Sequence, residues 1–398
     1  MPNLVAVRLP MLEAPRAIMA EWDAGRAVLP IDPRAPEPEL RRLLDALRPT
    51  HLVDRTGRAE LPDGEPAADG VAAVVATSGT TGTPKGVELT ADGIRASALA
   101  VSAGLGTTPD DTWLACVPMS GVAGLAILAR SRAAHTGVIV ERFDPAGLRH
   151  SDATLVSLVA TMLERVLDTP PRQRRHEDLP PGRLRLVLLG SGPVPPGLVE
   201  RAAGAGLRVV TSYGMTETFG GCVLDGRPVE GAELKIAPDG EILLRGPMLM
   251  RGYRGPGAAG ATAAALRDGW LHTGDLGTIA ADGRLRVTGR IKELVISGGV
   301  NVLPDEVEAV LREHPGVAEV GIAGAPDPEW GERVVAWVVP ADPADPPTLE
   351  SLRALARERL TPAKAPRQLV LVPELPRTGS GKLRRTALVA PSTDRGRA

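Results

Sequence analysis

Cysteine is nearly absent from this 398-residue chain, which holds only Cys116 and Cys222. Two thiols exclude a disulfide framework and a cysteine-rich zinc site; both suit small buried apolar positions. Neither sign of charge is in excess, with 46 Lys+Arg against 48 Asp+Glu and a formal net charge of −2. That balance argues against a protein that binds nucleic acid by neutralising phosphates. No run approaches the roughly 18 apolar residues of a membrane span. The N-terminal segment lacks the basic-then-apolar pattern of a secretory signal. A soluble cytoplasmic protein is therefore expected, with neither membrane nor nucleic acid as partner. Aromatics are scarce: five Trp, two Phe and two Tyr. Lys85, Lys235, Lys292, Lys364 and Lys382 are the only lysines, and arginine supplies the other 41 basic residues. GC-rich coding accounts for such a bias. A lysine that survives it marks a place where a compact ammonium on a flexible stem is wanted. Tyr213 and Tyr253 attract the same attention.

What the chain does have is glycine and proline, 45 and 38 residues, about a fifth of the total. This stays below the roughly 25–30% typical of low-complexity disorder. The length suits two or three domains of about 100–200 residues. The stretch 27–54, AVLPIDPRAPEPELRRLLDALRPTHLVD, predicts a strand, a proline-rich turn and a helix with Leu40, Leu43, Leu44 and Leu47 on one face. Residues 57–70 read as a loop. The β-type run VAAVVAT (71–77) leads into SGTTGTPKG (78–86), read as a connection between a strand and a helix. Strands and helices then alternate to LRVVTS, which predicts βαβ units and a largely parallel sheet covered by helices. Residues 232–246 and 283–290 read as hairpins with Asp-Gly turns.

The expected fold class is α/β: a large N-terminal domain, 1–290, of parallel and mixed sheets covered by helices with a β-rich subdomain. A small mobile α+β domain, 291–390, follows, and 391–398 forms a disordered tail.

The chemistry concentrates in Ser78-Gly79-Thr80-Thr81-Gly82-Thr83-Pro84-Lys85-Gly86. Three glycines allow backbone N–H groups to converge on an anion, hydroxyls add donors, and Lys85 supplies charge. This is a phosphate-binding loop by physical reading. It differs from the P-loop pattern because Lys85 stands between Pro and Gly. A plain surface turn would explain the Gly and Thr but not the retained lysine.

TSGTTGTPKG (77–86) resembles the signature loop of the acyl-adenylate-forming superfamily of acyl-CoA synthetases, luciferases and peptide-synthetase adenylation domains. In family order there follow SYGMTE (212–217), HTGDLG (272–277), GRIKELVISGGVNVLPDEVE (289–308) and PRTGSGKLRR (376–385), while LPIDPRAP (29–36) resembles an earlier element. The resemblance implies ATP, Mg²⁺ and CoA as cofactors and a carboxylic acid as substrate, and leaves a homodimer open. A carboxylate attacking the α-phosphorus of ATP meets another anion, so cations must screen the repulsion and stabilise the leaving pyrophosphate.

By the family match, Thr77, Ser78, Gly79, Thr80, Thr81, Gly82 and Lys85 hold the nucleotide phosphates. Tyr213 stacks on adenine beside Gly214, Thr216 contacts the phosphates, and Glu217 ligates Mg²⁺. Asp275 takes the ribose hydroxyls with Arg290 nearby. Lys382, with Lys85, Thr216 and Glu217, makes the catalytic set, bridging the carboxylate and the α-phosphate. Lys292 maps to the hinge, and Ser297, Gly298 and Gly299 line the pantetheine tunnel, although Gly298-Gly299 alone would equally make an ordinary turn.

Within the superfamily the chain resembles short o-succinylbenzoate–CoA ligases of menaquinone biosynthesis, through residues 117–131, 187–200 and 211–231. The early position of Lys85 implies a reduced N-terminal subdomain. Candidate acyl-pocket residues are Gly121, Arg130, Ser191, Gly192 and Gly220. Gly121 departs from the family, which places an aromatic or histidine there. Arg130 could pair with a second carboxylate or be one surface or structural arginine among many. Three alternatives stay open: a ligase for another aryl, cyclic or medium-chain acid; an enzyme loading a carrier protein; and, from another class, a degenerate nucleotide-binding protein.

Overall fold

The computed structural model describes residues 1–77, 84–148, 151–170, 183–377 and 383–390. The chain begins with β1 (Leu4–Val7), α1 (Ala14–Asp23), β2 (Ala27–Pro30), α2 (Glu37–Leu47), β3 (His51–Asp54) and β4 (Gly57–Glu60). Next come β5 (Val71–Thr77), β6 (Lys85–Thr90), α3 (Ala91–Gly104), β7 (Thr112–Ala115), α4 (Val122–Ala134) and β8 (Gly137–Val140). Then follow β9 (Leu155–Leu158), α5 (Ala160–Asp168), β10 (Leu186–Leu189), α6 (Leu198–Gly204), β11 (Val209–Met215) and β12 (Gly220–Leu224). Short strands β13 (Arg227–Pro228), β14 (Glu233–Ile236), β15 (Glu241–Arg245) and β16 (Gly252–Arg254) precede α7 (Ala258–Ala265) and β17 (Leu266–Arg267). The remainder is β18 (Trp270–Ile279), β19 (Leu285–Arg290), β20 (Val295–Ser297), β21 (Val300–Val302), α8 (Pro304–Leu311), β22 (Val317–Asp327), β23 (Gly331–Pro340), α9 (Leu349–Arg359) and β24 (Gln368–Leu371).

Two compact units result, one of Met1–Lys235 with Leu243–Thr273, the other of Ile236–Ile242 with Gly274–Ala398. The first carries two seven-stranded sheets, ordered β16-β6-β5-β2-β1-β3-β4 and β13-β12-β11-β10-β9-β7-β8. Parallel pairing dominates their centres, as in β1 with β2 and β3, and β10 with β9 and β11. The central strands Leu4–Val7 and Leu186–Leu189 are buried at every residue, as continuous apolar strands covered on both faces must be.

The helix expected from Leu40, Leu43, Leu44 and Leu47 forms over Glu37–Leu47, with Leu40 and Leu47 buried. Its Arg48 cap adopts a left-handed φ of 46°, and the Arg48 N–H closes the last turn on the Leu44 carbonyl. Two expectations need correction. Residues 57–60 are not loop but the exposed strand β4, paired with β3 through the Asp54–Gly57 turn. The segment 78–86 does not run from strand to helix. Lys85 and Gly86 open β6, which folds back antiparallel on β5 with Lys85 opposite Thr77. Helix α3 follows only after that strand, and its N-terminus is closed by the Thr90 hydroxyl, which accepts from the Gly93 N–H at 3.0 Å.

Three parallel strands of the second sheet are tied together at their entry. Asp111, just before β7, accepts from Arg185 Nε at 2.7 Å and Nη2 at 2.5 Å. It also accepts from the Thr154 hydroxyl at 2.7 Å. Arg185 precedes β10 and Thr154 precedes β9, so one carboxylate holds three strand starts in register.

The second unit is built on β21-β20-β23-β22, with β24 parallel to β23 and α8 and α9 contributing Val307, Leu311, Leu352 and Ala356 to its core. Arg385 is its polar centre. Its guanidinium reaches Glu293 at 2.8 Å, Asp305 and Glu308, and donates to the Ile322 carbonyl at 3.0 Å. Burial alone would lower the Arg385 pKa, and the surrounding carboxylates reverse that and raise it.

Candidate functional site

The first unit builds most of its candidate site around the turn that ends β11. Tyr213 and Gly214 lie in that strand, with a register irregularity between them against β12. A β-carbon on Gly214 would fall 2.0 Å from the Gly220 carbonyl oxygen, so only glycine fits. A single 3-10 turn, Thr216–Thr218, then reverses the chain. The buried Thr218 hydroxyl lies 2.6 Å from the Gly220 carbonyl and 3.0 Å from the Met215 N–H. Phe219, fully buried, takes a left-handed φ of 52° to close the reversal. Tyr213, Thr216 and Glu217 are left half-buried.

Glu217 is held at two points. Its carbonyl accepts from the Met250 N–H at 2.7 Å, and its Oε1 accepts from the Tyr253 hydroxyl at 2.8 Å. Tyr253 stands in β16, opposite Val87 of β6. The strand that starts at Lys85 and the turn that bears Glu217 thus converge on one tyrosine. Burial, and then the Glu217 charge, raise the Tyr253 pKa, which keeps it a donor. Thr77 also belongs here, its hydroxyl 3.4 Å from the Lys85 carbonyl. Ser78, Gly79, Thr80, Thr81 and Gly82 of the signature loop lie outside the described residues, as does Lys382.

Arg130 is not a surface residue. It lies on α4, 3% exposed, its guanidinium 5.7 Å from the centroid of the Trp113 ring. Among the described residues it has no carboxylate partner and its Nε makes no hydrogen bond. Burial lowers its pKa to about 10, so it is charged at neutral pH. Its Nη2 stands 3.7 Å from where a β-carbon on Gly220 would sit, which places it beside the start of β12. Gly121 caps α4 in extended backbone with open space around it. Ser191 and Gly192 lie exposed in the loop after β10.

The second unit, taken by itself, holds the other residues that the sequence singles out. Asp275 of β18 is buried and meets Arg290 of β19 across the hairpin at 2.8 Å. The preceding Gly274, φ +70°, donates its N–H to Glu241 Oε1 at 2.8 Å. Lys292 is exposed on a 3-10 turn, Ile291–Glu293. Gly298 and Gly299 form the two-residue turn between β20 and β21, with φ of +60° and +77°. Both values suit a primed hairpin turn, and a β-carbon on Gly298 would fall 2.7 Å from Trp330. Ser297 is fully buried.

The remaining lysines have plain structural partners: Lys235 stacks 4.0 Å from the Trp270 centroid, and Lys364 pairs with Glu306 at 2.6 Å. Cys116 and Cys222 are buried free thiols, both pushed up to about 12 by burial. The sequence singles out Tyr253 but gives it no role. Its rarity was a signal, but its partner is 36 positions away and only the β6–β16 pairing joins them.

Among the described residues no three His, Cys, Asp or Glu side chains gather to hold a metal. One carboxylate, Glu217, with its second oxygen unengaged among the described residues, suits Mg²⁺. That ion takes one or two protein carboxylates and completes its shell with substrate phosphates and water.

Sheets, turn and loop strand together define an adenylate-forming enzyme. The family model "AMP-binding enzyme" matches residues 54–254 and "AMP-binding enzyme C-terminal domain" matches 306–382, and the chain belongs to this family. It is 41% identical over 369 residues to a protein of Mycobacterium tuberculosis strain H37Rv named "Probable 2-succinylbenzoate--CoA ligase", covering 88% of this chain and 94% of that one. The fold matches o-succinylbenzoate CoA synthetase (MenE) from Bacillus subtilis in complex with the acyl-adenylate OSB-AMP. That match has a TM-score of 0.85 at 31% identity, over 98% of this chain and 88% of that one. The same Bacillus enzyme in complex with ATP and magnesium gives 0.83 at 31% identity, over 97% and 89%. Among the described residues no helix is long and apolar enough to cross a membrane.

Proposed function

We propose that this chain joins 2-succinylbenzoate to coenzyme A, converting ATP to AMP and pyrophosphate, as a step of menaquinone biosynthesis. The carrying observation is Arg130, a buried guanidinium with no carboxylate partner among the described residues. A substrate with two carboxylates has one to be activated and one to neutralise that charge, and a bidentate pair in a dry pocket gives both energy and orientation.

In the first step a carboxylate oxygen bonds to the α-phosphorus as the bond to pyrophosphate breaks. In the second the CoA thiol bonds to the acyl carbon, AMP leaves, and the thiol proton passes to solvent. Lys85 and Thr216 bind the phosphates, Tyr213 stacks on adenine, and Asp275 with Arg290 takes the ribose. Lys382 bridges carboxylate and α-phosphate. Glu217 would hold Mg²⁺, whose charge would offset that of the triphosphate. Lys292 serves as the pivot that exchanges the Lys382 face for the Ser297-Gly298-Gly299 face between the two reactions.

ATP–pyrophosphate exchange with 2-succinylbenzoate, its analogue lacking the ring carboxylate, and a panel of aryl and medium-chain monocarboxylates tests the reading. Exchange that needs both carboxylates, followed by CoA-dependent release of AMP, is expected. Exchange with monocarboxylates but not with 2-succinylbenzoate would overturn the substrate. Acyl transfer to a carrier protein but not to CoA would overturn the acceptor.

A further inference from the structure

Among the described residues the Glu217 carboxylate meets its environment through one oxygen, Oε1, which accepts from the Tyr253 hydroxyl. The phenol is 2.8 Å from Glu217 Oε1, across 36 residues of sequence. Both ends of the tyrosine are fixed. Its N–H donates to the Thr262 hydroxyl of α7 at 2.9 Å, and its strand is paired to β6, Tyr253 opposite Val87 and Arg254 opposite Gly86. The Met250 N–H, three residues earlier, holds the Glu217 carbonyl at 2.7 Å. One short segment, 250–253, therefore sets both the backbone and the carboxylate orientation of Glu217. A carboxylate on a surface turn ordinarily rotates between rotamers. Here one lone-pair direction is occupied by a fixed donor, and Oε2 carries no partner among the described residues.

We infer that Tyr253 is a positioning residue for the divalent cation that enters with the nucleotide: its hydroxyl occupies Oε1 of Glu217 and presents Oε2 as a single, oriented ligand. The inference rests on the reading of Glu217 as the cation ligand. Partners that orient a metal ligand typically change metal affinity roughly 10–100-fold. The phenol also sets the strand that begins at Lys85 and the turn that bears Glu217 in one frame, so Lys85 and the cation ligand are placed together.

The test is calorimetric binding of a non-hydrolysable ATP analogue to the full chain, with Mg²⁺ and with EDTA, for wild type, Tyr253→Phe and Glu217→Gln. The quantity read is the ratio of the two affinities, which removal of a merely structural contact would leave unchanged. Tyr253→Phe is expected to keep the EDTA affinity and lose roughly tenfold of the Mg²⁺-dependent gain, with a matching rise in the Mg²⁺ needed for half-maximal pyrophosphate exchange. Glu217→Gln should lose the gain entirely. A Tyr253→Phe ratio equal to wild type, or equal weakening with and without Mg²⁺, would overturn the role of Tyr253 while leaving Glu217 as the ligand. A Glu217→Gln protein that retains the full gain would overturn both.

Discussion

The Arg130 guanidinium lies over the Trp113 indole, 5.7 Å from its centroid, with both residues buried. Cation–π attraction offsets part of the desolvation, and burial lowers the Arg130 pKa to about 10. Against an ordinary value of 12.5 this amounts to a cost on the order of 3 kcal/mol at pH 7. The sign follows from proton binding. Between pH about 10 and 12.5 the unfolded chain holds the proton and the folded chain does not, so stability rises with pH there; below that window the cost is present in full. Arg130→Met should therefore raise the thermal midpoint by a few degrees. It should also raise KM for a dicarboxylic acid at least tenfold, as loss of charge-assisted hydrogen bonds of about 1.5–3 kcal/mol requires. Calorimetric melting and initial rates check the two together. A variant both less stable and unchanged in KM would make Arg130 a structural cation.

Gly121 gives a separate handle on the acid. Its backbone, φ −114° and ψ 165°, is open to any residue, and nothing lies within 4 Å of an added β-carbon. Gly121→His should fold normally and narrow the range of acids that support pyrophosphate exchange, with bulky acids losing roughly tenfold or more relative to small ones. An unchanged acid profile would remove Gly121 from the acyl pocket.

Much of this architecture is legible in the sequence because its signals are local. The Leu40–Leu47 face, the Asp-Gly turns and the strand–helix rhythm each follow from periodicity or from turn chemistry within a dozen residues. Residues 57–60 were unreadable as β4 because an exposed edge strand has no apolar alternation to show. The 78–86 segment was misassigned because glycine-rich connections precede strands and helices alike; only pairing of Lys85 with Thr77 decides. Composition does not tell Arg130 from 40 other arginines; only the resemblance picks it out, and its burial comes from the packing of α4. Tyr253 needed a strand pairing between distant segments. The family resemblance, by contrast, points to Glu217, Asp275 and Gly298 without any long-range pairing, because each stands in a contiguous motif.

Two glycines assigned to the site separate packing from conformation. At Gly214 a methyl group would collide with the Gly220 carbonyl at 2.0 Å, a backbone atom that cannot rotate away. At Gly192 it would meet nothing, and φ there is not positive. Gly214→Ala should cost roughly 2–4 kcal/mol of stability or abolish soluble expression, whereas Gly192→Ala should stay within about 0.5 kcal/mol of wild type. Urea midpoints measure both. Equal stability of the two variants would mean that β11 and β12 can part at the turn without penalty.

Asp111 predicts how the fold responds to acid. The Arg185 fork beside it, the Thr154 hydroxyl and the Thr108 N–H hold its carboxyl well below the usual carboxylate range, although burial opposes them. A carboxyl whose pKa falls on folding stabilises the native state above its unfolded pKa, and that contribution drains away as pH drops toward the folded value. Because Asp111 joins the starts of β7, β9 and β10, its protonation loosens the sheet at one end and not merely a surface pair. Asp111→Asn should cost about 2–3 kcal/mol at pH 7, a figure kept modest because Arg185 is one-third exposed. The gap between wild type and variant should narrow steadily below about pH 4. Chemical denaturation at pH 7, 5 and 3 reads the gap directly, and a difference that stays constant across that range would mean that the strand starts are held by packing and not by the carboxylate charge.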